Sequence, residues 1–173
     1  MAYGQAQSKL DYRGASDPDG GIQFDTSANG YRLPTEVEWE YIAREGNNGI
    51  PNVQYTYSGS DDPVGYVAGD GSISPTGFEI KTKLPNALGV YDMSGNAFEW
   101  VWDWYDFEAN ISASTPDTGP EKCGSNINGQ TGRTKRGGSH NNSGDQSKVK
   151  FRIYMKPGYA NDGAGFRVVR NAD

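Results

Sequence analysis

The stretch that most constrains the fold is AFEWVWDWY at residues 97–105. In it, large aromatic side chains recur with a period of two, at Phe98, Trp100, Trp102 and Trp104. This is the spacing of side chains along one face of a β-strand. Because aromatic side chains of this size bury a large apolar area, we expect their face to lie in the core. The chain is therefore predicted to contain a sheet with this strand inside it.

A helix start signal lies around Thr35. Pro34 precedes it, and Glu38 follows three residues later, which is the spacing of a capping box. We therefore expect a helix that runs from Thr35 to about Glu45 and stops at Gly46.

Two sets of side chains are expected on different sides of this helix. The apolar set, predicted to pack, is Val37, Trp39, Tyr41 and Ile42. The acidic set is Glu36, Glu38 and Glu40. Because carboxylates near a helix N-terminus are stabilised by the helix dipole, we interpret the acidic set as dipole partners on solvated faces rather than as catalytic groups.

Most of the remaining chain carries turn signals. It contains 24 glycines and 9 prolines, and residues 1–30, 47–83 and 110–131 show little periodicity apart from a short strand predicted around residues 22–24. Two further strands are predicted, at RTKRGGS (residues 133–139) and FRVVR (residues 166–170). We expect one loop-rich α+β domain over residues 1–173, with an irregular N-terminal segment at residues 1–28.

Charge is distributed unevenly along the chain. Residues 1–132 contain 7 Lys or Arg against 19 Asp or Glu, whereas residues 133–170 contain 9 against 2. A basic C-terminal part is compatible with an anionic partner, either nucleic acid or an acidic peptide. Because the overall pI is near 4.8, the favoured interpretation is that several of these bases pair with the acidic body of the same domain. A nucleic-acid partner is disfavoured.

The cysteine and histidine counts exclude several chemistries. Cys123 is the only cysteine, so neither an internal disulfide nor a two-thiol redox centre can form within one chain. His140 is the only histidine, which excludes hydrolase and relay schemes that need two imidazoles. Few enzymatic mechanisms remain.

Three motifs, in order, resemble one known family. RLPTEVEWEY at residues 32–41, PNALGVYDMSGNAFEW at residues 85–100, and RGGSH at 136–140 paired with GFRVV at 165–169 resemble the formylglycine-generating enzyme, or sulfatase-modifying factor, family. The resemblance runs over residues 29–170. It implies a C-type lectin-like fold of the α+β class, with long loops and little regular secondary structure, in a shortened form.

The resemblance does not carry oxidase activity over to this chain. The oxidase members use two cysteines just after the RGGS motif to bind copper and to oxidise a substrate cysteine to formylglycine. The matching positions are Asn142 and Ser147, which supply no thiolate, the ligand that soft copper prefers. We therefore expect a non-catalytic protein that requires no cofactor.

The segment between RGGS and GFRVV, residues 140–164, is interpreted as a ligand-binding surface. The variable proteins of diversity-generating retroelements use the same scaffold with a variable C-terminal segment, and this segment resembles theirs in position and residue types. Its ends are expected to be fixed while exposed side chains change without altering the core. The predicted surface set is His140, Asn142, Gln146, Lys150, Phe151, Ile153, Tyr154, Met155, Tyr159, Asn161 and Asp162. The alternation of Phe151, Ile153 and Met155 equally fits a buried strand face.

The resemblance also implies a calcium site in YDMSGNAFEW. The residues that match the family's ligands are Asp92, Gly95, Ala97 and Glu99, and oxygen ligands are what a hard cation requires. Gly95 and Asn96 would serve equally as a left-handed turn entering the strand.

Three functional classes remain open from the sequence. They are a binding protein with a diversified surface for a protein or other macromolecule, an oxidase-type enzyme, and a fixed-partner accessory domain. No apolar run reaches the roughly 20 residues of a bilayer span, and residues 1–20 lack a signal-peptide pattern, so a soluble chain is expected. The compartment is open, with display at a cell or virus surface as one option.

Overall fold

The computed structural model describes residues 29–46, 55–69, 77–105, 132–156, 159 and 161–171. Its regular elements there are helix α1 (Glu36–Ala43), strands β1 (Phe98–Trp104) and β2 (Arg133–Arg136), a 3-10 turn (Gly144–Ser147), and strands β3 (Arg152–Met155) and β4 (Ala164–Phe166). The strand predicted at residues 22–24, the insert at 110–131 and Cys123 lie outside the described residues. None of the helices described is long and apolar enough to span a membrane.

Helix α1 begins at the predicted cap. The Thr35 hydroxyl accepts a hydrogen bond from the Glu38 backbone N–H at 3.2 Å, and the Glu38 carboxylate accepts one from the Thr35 N–H at 2.8 Å. This reciprocal pair is the predicted capping box. The helix ends at Ala43, two residues earlier than predicted, because Glu45 adopts a left-handed φ of 65° ahead of Gly46.

The buried side of α1 differs from the predicted one. Its buried residues are Glu36, Trp39, Glu40 and Ala43, which recur at i, i+3, i+4 and i+7, the spacing of one helical face. The interpretation of Glu36 and Glu40 as solvated was therefore wrong, and Tyr41, predicted to pack, is exposed. Two buried carboxylates require cationic partners, because an unpaired buried charge is costly.

The four described strands form one sheet in the order β3-β2-β1-β4. Strand β1 pairs antiparallel with β2 and parallel with β4, and β2 pairs antiparallel with β3. The strand predicted at RTKRGGS is confirmed over its first four residues, as β2. The strand predicted at FRVVR lies earlier, as β4, and Val169 instead forms an isolated antiparallel bridge with Arg32.

The core side of β1 is opposite to the predicted one. Phe98, at the start of the strand, is buried as predicted. The next residues differ: Trp100, Trp102 and Trp104 are partly exposed, whereas Glu99, Val101 and Asp103 are buried. The alternation therefore located the strand correctly, but the assignment of the tryptophans to the core was wrong.

Hydrogen bonds to α1 explain why the polar side chains of β1 point inward. The Trp39 indole N–H donates to Glu99 at 2.6 Å, and the Glu36 backbone N–H donates to Asp103 at 2.6 Å. An acceptor that satisfies a buried donor stabilises the burial of both groups. The strand therefore turns its two carboxylates toward the helix and its tryptophans outward.

The apolar core lies between α1 and the sheet. Its buried members are Trp39, Ala43, Met93, Val101 and Val149. Trp39 and Ala43 come from α1 and the other three from separate parts of the chain, so the core joins the helix, the turn before β1, β1 itself and the C-terminal segment. Side chains of this kind stabilise the fold by removing apolar area from water.

A close backbone approach fixes the turn that enters β1. Gly95 has a φ of 85°, and a Cβ at that position would overlap the carbonyl oxygen of Ala68. The Gly95 N–H donates to the Gly137 carbonyl at 2.7 Å, and the Asn96 N–H donates to the Ala68 carbonyl at 3.1 Å. Only glycine combines this φ with this proximity, so the turn holds the second motif against the glycines of RGGSH.

Candidate functional site

Arg136 anchors the start of the C-terminal segment. Its side chain is fully buried and donates to Glu36 at 2.5 Å, to Glu40, and to the Val149 carbonyl at 2.8 Å. The guanidinium also lies over the Trp39 ring, 5.1 Å from its centroid, a favourable cation–π position. Arg136 therefore ties β2 to α1 immediately before the segment begins.

Glu36 is shared between two guanidinium groups. It accepts from Arg136 and also from Arg152 on β3, at 2.6 Å from Nε to Oε1 and 2.9 Å from Nη2 to Oε2. Burial alone would raise the pKa of Glu36. The hydrogen bonds and charges of Arg152 and Arg136 outweigh that effect and hold the pKa below its ordinary value of 4.5. Glu36 is therefore an ionised carboxylate that fixes β2 and β3 to the helix.

Arg167, in the GFRVV motif, anchors the other end of the segment. It donates to both carboxylate oxygens of Glu99, at 2.6 and 2.5 Å, and its Nη2 lies 3.3 Å from the carbonyl oxygens of Tyr91 and Asp92. Glu99 also accepts the Trp39 indole N–H. Both ends of the segment are thus fastened to the body formed by α1 and β1.

These contacts bear on the basic charge of residues 133–170. Arg136, Arg152 and Arg167 each pair with a glutamate from the acidic N-terminal part of the chain. For these three side chains, the prediction that the bases pair within the domain is confirmed. Lys150 and Lys156 are exposed and keep the surface of the segment basic.

His140 was predicted to lie on the surface, and this was wrong. The residue is only 2% exposed. Its backbone N–H donates to the Asn96 carbonyl at 2.7 Å, and its Nδ1 lies 2.9 Å from the same oxygen. Because a carbonyl only accepts, Nδ1 carries the proton. Nε2 is buried without a partner among the described residues. His140 therefore packs the start of the segment against the turn before β1.

The other predicted surface residues are exposed to different degrees. The exposed ones are Lys150, Tyr159, Asn161 and Asp162, and the partly exposed ones are Asn142, Gln146, Phe151, Ile153, Tyr154 and Met155. Tyr159 is the most open of the aromatic residues among them, at 65%. The alternative of a fully buried face made by Phe151, Ile153 and Met155 is not what the structure shows.

The side of the sheet that faces away from α1 is rich in aromatic and basic groups. Cross-strand pairs place Trp100 beside Lys135 and Phe166, Lys135 beside Ile153, and Arg133 beside Met155, and paired residues project from the same side of a sheet. We call this side the tryptophan face; its members are Phe98, Trp100, Trp102, Trp104, Arg133, Lys135, Ile153, Met155 and Phe166. Phe166 is 68% exposed at the β4 edge.

Strand β3 divides its side chains between the two sides of the sheet. Ile153 and Met155 lie on the tryptophan face, whereas Tyr154 pairs with Thr134 on the opposite side, with its ring 5.3 Å from that of Tyr105. The sequence-predicted set is therefore not one continuous surface.

Two cations lie against the rings of the tryptophan face. The Arg133 guanidinium is 4.2 Å from the Trp104 ring centroid and 5.2 Å from that of Trp102. The Lys135 Nζ is 4.9 Å from the Phe98 centroid and 5.5 Å from that of Trp100. Such positions stabilise a cation over an aromatic ring. Neither base was identified from the sequence as part of a surface. The signal was present in RTKR at residues 133–136, because alternate residues of a strand share a side: Arg133 and Lys135 lie on one side and Arg136 on the other.

The two positions that match the oxidase cysteines lie near the start of the segment. The Ser139 hydroxyl donates to the Asn142 side-chain carbonyl, and Ser147 is buried against Gly138, where an added Cβ would come 2.6 Å from the Ser147 hydroxyl. Both side chains are therefore engaged in local packing, and neither supplies a soft ligand.

The four residues that match a calcium site do not fit that ion as they are placed. Asp92 keeps one buried oxygen without a partner among the described residues, which suits a cation. Glu99, however, has its oxygens bonded to Arg167 and Trp39, and the Gly95 carbonyl accepts the Ala97 N–H at 2.9 Å. The Arg167 guanidinium already neutralises the Glu99 carboxylate, and Asn96, with a φ of 64°, makes the predicted left-handed turn.

The chain matches one protein family and several solved structures. Residues 1–172 match the sulfatase-modifying factor enzyme 1-like domain. The chaperone protein LppX of Paenibacillus barcinonensis is 31% identical over 167 residues, which is 87% of this chain and 52% of that protein. The formylglycine-generating enzyme of Streptomyces coelicolor is 30% identical over 161 residues, covering 83% of this chain and 48% of the enzyme.

Among solved structures, Treponema denticola variable protein 1 superposes with a TM-score of 0.68 at 33% identity, covering 84% of this chain and 49% of that protein. The chain thus spans about half the length of each of these three proteins. The family match, the identities and the superposition support the resemblance that the three motifs indicate. The chain therefore belongs to the sulfatase-modifying factor enzyme 1-like, or formylglycine-generating enzyme, family and has its C-type lectin-like fold.

Proposed function

We propose that this chain is a non-catalytic domain that binds a protein ligand through a diversified surface, made by the accessible residues of 140–164 and the adjoining tryptophan face. One observation carries the proposal. Arg136 and Arg167 fasten both ends of the segment to the body through buried or largely buried ion pairs, while most of the predicted side chains between them are partly or fully exposed. A surface with fixed ends and open side chains can change its residues at small cost to the core.

The chemistry of the accessible side chains suits recognition. Tyr159 and Phe151 offer large contact area with few rotatable bonds, and Asn161, Asp162 and Gln146 offer adaptable hydrogen bonds. Aromatic residues also dominate the energetic centres of protein interfaces. The similarity to Treponema denticola variable protein 1 supports the same interpretation.

The oxidase alternative is not supported by the two residues that match the oxidase cysteines. Asn142 and Ser147 match the oxidase cysteines, and neither forms a thiolate. A direct test is to incubate the chain with Cu(I) and a peptide bearing the sulfatase-type cysteine motif. We expect no aldehyde product by hydrazide capture, and turnover above the metal-only control would overturn the non-catalytic assignment.

Ligand binding is tested by yeast display of two libraries of equal size. The first varies Asn142, Gln146, Phe151, Ile153, Met155, Tyr159, Asn161 and Asp162. The control library varies exposed residues elsewhere, namely Tyr31, Tyr41, Asp61, Asp62, Val64, Ile80, Leu84 and Leu88. Both are sorted against the same three unrelated purified proteins.

We expect specific binders from the first library at a frequency at least about tenfold above the control, because its positions lie on a surface held at both ends. Equal yields from both libraries would refute a dedicated binding surface. A reverse transcriptase gene and an imperfect template repeat beside the coding gene would support natural diversification. Their absence would favour the accessory-domain alternative, with one fixed partner.

A further inference from the structure

Lys135 is a buried cation at the centre of the tryptophan face. It is 2% exposed and lies on β2 between Trp100 of β1 and Ile153 of β3. Its Nζ is 3.7 Å from the Met155 sulfur and lies over the rings of Phe98 and Trp100. Among the described residues, no carboxylate forms an ion pair with it.

These neighbours leave the ammonium poorly satisfied. A lysine has three N–H donors, and a thioether sulfur is a weak acceptor. The two rings add cation–π attraction but accept no conventional hydrogen bond. An ammonium in such surroundings costs stability, and burial correspondingly lowers the pKa of Lys135. A methionine of similar length would fill the same space without the charge, so the charge of Lys135 indicates a role other than packing.

We propose that Lys135 is the anchor for a carboxylate of the ligand, so that the tryptophan face recognises an acidic segment of a protein partner. The inference rests on the proposed ligand-binding function and names the chemistry of the partner. A carboxylate would supply the strong acceptors that the Met155 sulfur does not, in a site lined by aromatic rings where a charge-assisted hydrogen bond is strengthened.

Met155 lies against the amine, with its sulfur 3.7 Å from the Lys135 Nζ. This side chain is partly exposed and sits on β3, which pairs only with β2 among the described strands. Methionine is unbranched and has three rotatable bonds, so in this proposal the ligand reaches the amine by displacing the Met155 side chain without a change of backbone. Met155 also belongs to the predicted surface set, so a different residue at position 155 would change how accessible the Lys135 ammonium is to a ligand.

The charge distribution favours an acidic peptide over nucleic acid. Lys150 and Lys156 are exposed near the same strand and would attract an anion at short range. The whole chain carries a net charge of −6, which opposes a long polyanion such as a nucleic-acid strand more than a segment with a few carboxylates. A short acidic segment on a protein surface presents fewer charges to the rest of the domain.

The test uses a rhodamine-labelled hexaglutamate peptide and fluorescence anisotropy at low salt. We expect saturable binding that Lys135→Met weakens about tenfold or more, because truncating one partner of a buried charge pair costs that much or more. The matched control Lys150→Met removes the same charge at an exposed site and is expected to change Kd by less than about threefold. Lys135→Arg should retain part of the affinity, and Met155→Ala should raise it.

Thermal unfolding of the same variants separates anchoring from structural support. Lys135→Met is expected to keep or raise the Tm of the chain, because it removes an unpaired buried charge. A lower Tm would make the ammonium structural and overturn the proposal.

Three binding outcomes would also overturn the proposal: hexaglutamate that does not saturate the wild type, Lys135→Met and Lys150→Met that weaken binding equally, or a dT6 oligonucleotide that binds more tightly than the peptide. None of them bears on the general binding proposal, because the display libraries leave Lys135 unchanged.

Discussion

Replacing Arg136 with methionine tests whether a buried ion network holds the C-terminal segment. The substitution keeps most of the apolar stem and removes the guanidinium that contacts Glu36, Glu40 and the Val149 carbonyl. Removing one partner of a buried pair costs about 3–5 kcal/mol, because the other charge stays buried. Glu36 keeps Arg152, and Glu40 keeps a salt bridge to Arg44 at 2.8 Å. We therefore take the lower end, about 3 kcal/mol.

A loss of that size is large for a single domain. Total unfolding free energies are about 5–15 kcal/mol, and for a chain of this length each kcal/mol shifts the Tm by about 2–4 °C. Arg136→Met should therefore lower the Tm by about 6–12 °C. Urea unfolding followed by tryptophan fluorescence would measure the free energy directly, with an unchanged m-value if the transition remains two-state.

Two further variants make this prediction specific. Lys156→Met removes an exposed charge from the same part of the chain and should leave the urea midpoint unchanged. Adding Glu40→Gln to Arg136→Met removes one of the stranded carboxylates, so the double variant should be more stable than additivity predicts. The reasoning would be refuted if Arg136→Met cost less than about 1 kcal/mol, or if the two substitutions were additive.

Further predictions concern the turn, the cap and the acid stability of the fold. Gly95→Ala should prevent folding, because the new Cβ would overlap the Ala68 carbonyl. Gly89 has a similar φ of 75° but open space around it, so Gly89→Ala should cost only about 1 kcal/mol of backbone strain. Circular dichroism of both variants distinguishes the steric clash from the strain. Thr35→Ala should cost about 1 kcal/mol in urea unfolding through loss of the capping box. The folded pKa of Glu36 lies below its ordinary value of 4.5 despite burial, because two guanidinium groups hold it ionised. Its contribution is therefore complete above pH 4.5 and is lost as the pH falls toward the folded pKa. The Tm of the wild type should drop over this range more steeply than that of Glu36→Gln, and parallel curves would contradict the assignment.

The sequence predicted those features that depend on neighbouring residues. The capping box needs only Thr35 and Glu38, and the backbone preference at Gly46 ends the helix close to the predicted place. The period of the tryptophans likewise located β1. Local chemistry is sufficient in each case, because the interacting groups lie within one turn or one strand.

The faces of these elements were not predictable in the same way. Glu36 and Glu40 are buried because Arg136, about a hundred positions later in the chain, donates hydrogen bonds to them. Glu99 is buried because Arg167 donates hydrogen bonds to it. Hydrophobicity alone ranks tryptophan above glutamate for the interior. It gives the wrong side of the sheet here, because the pairing partners that make burial of a carboxylate favourable are distant in sequence.

The alternation of β3 leads to a last prediction about which positions tolerate change. Arg152 points toward α1 and binds Glu36, whereas Ile153 and Met155 lie on the tryptophan face, so one strand serves both the core and the surface. Tyr154 lies on the core side and leaves no space beside it, since a Cβ at Gly132 would come 2.7 Å from its ring. If position 154 is added to the display library, folded clones should retain an aromatic residue there while position 153 varies freely. Deep sequencing of clones sorted only for folded display measures this, and equal variation at the two positions would show that the two sides of the sheet are not constrained separately.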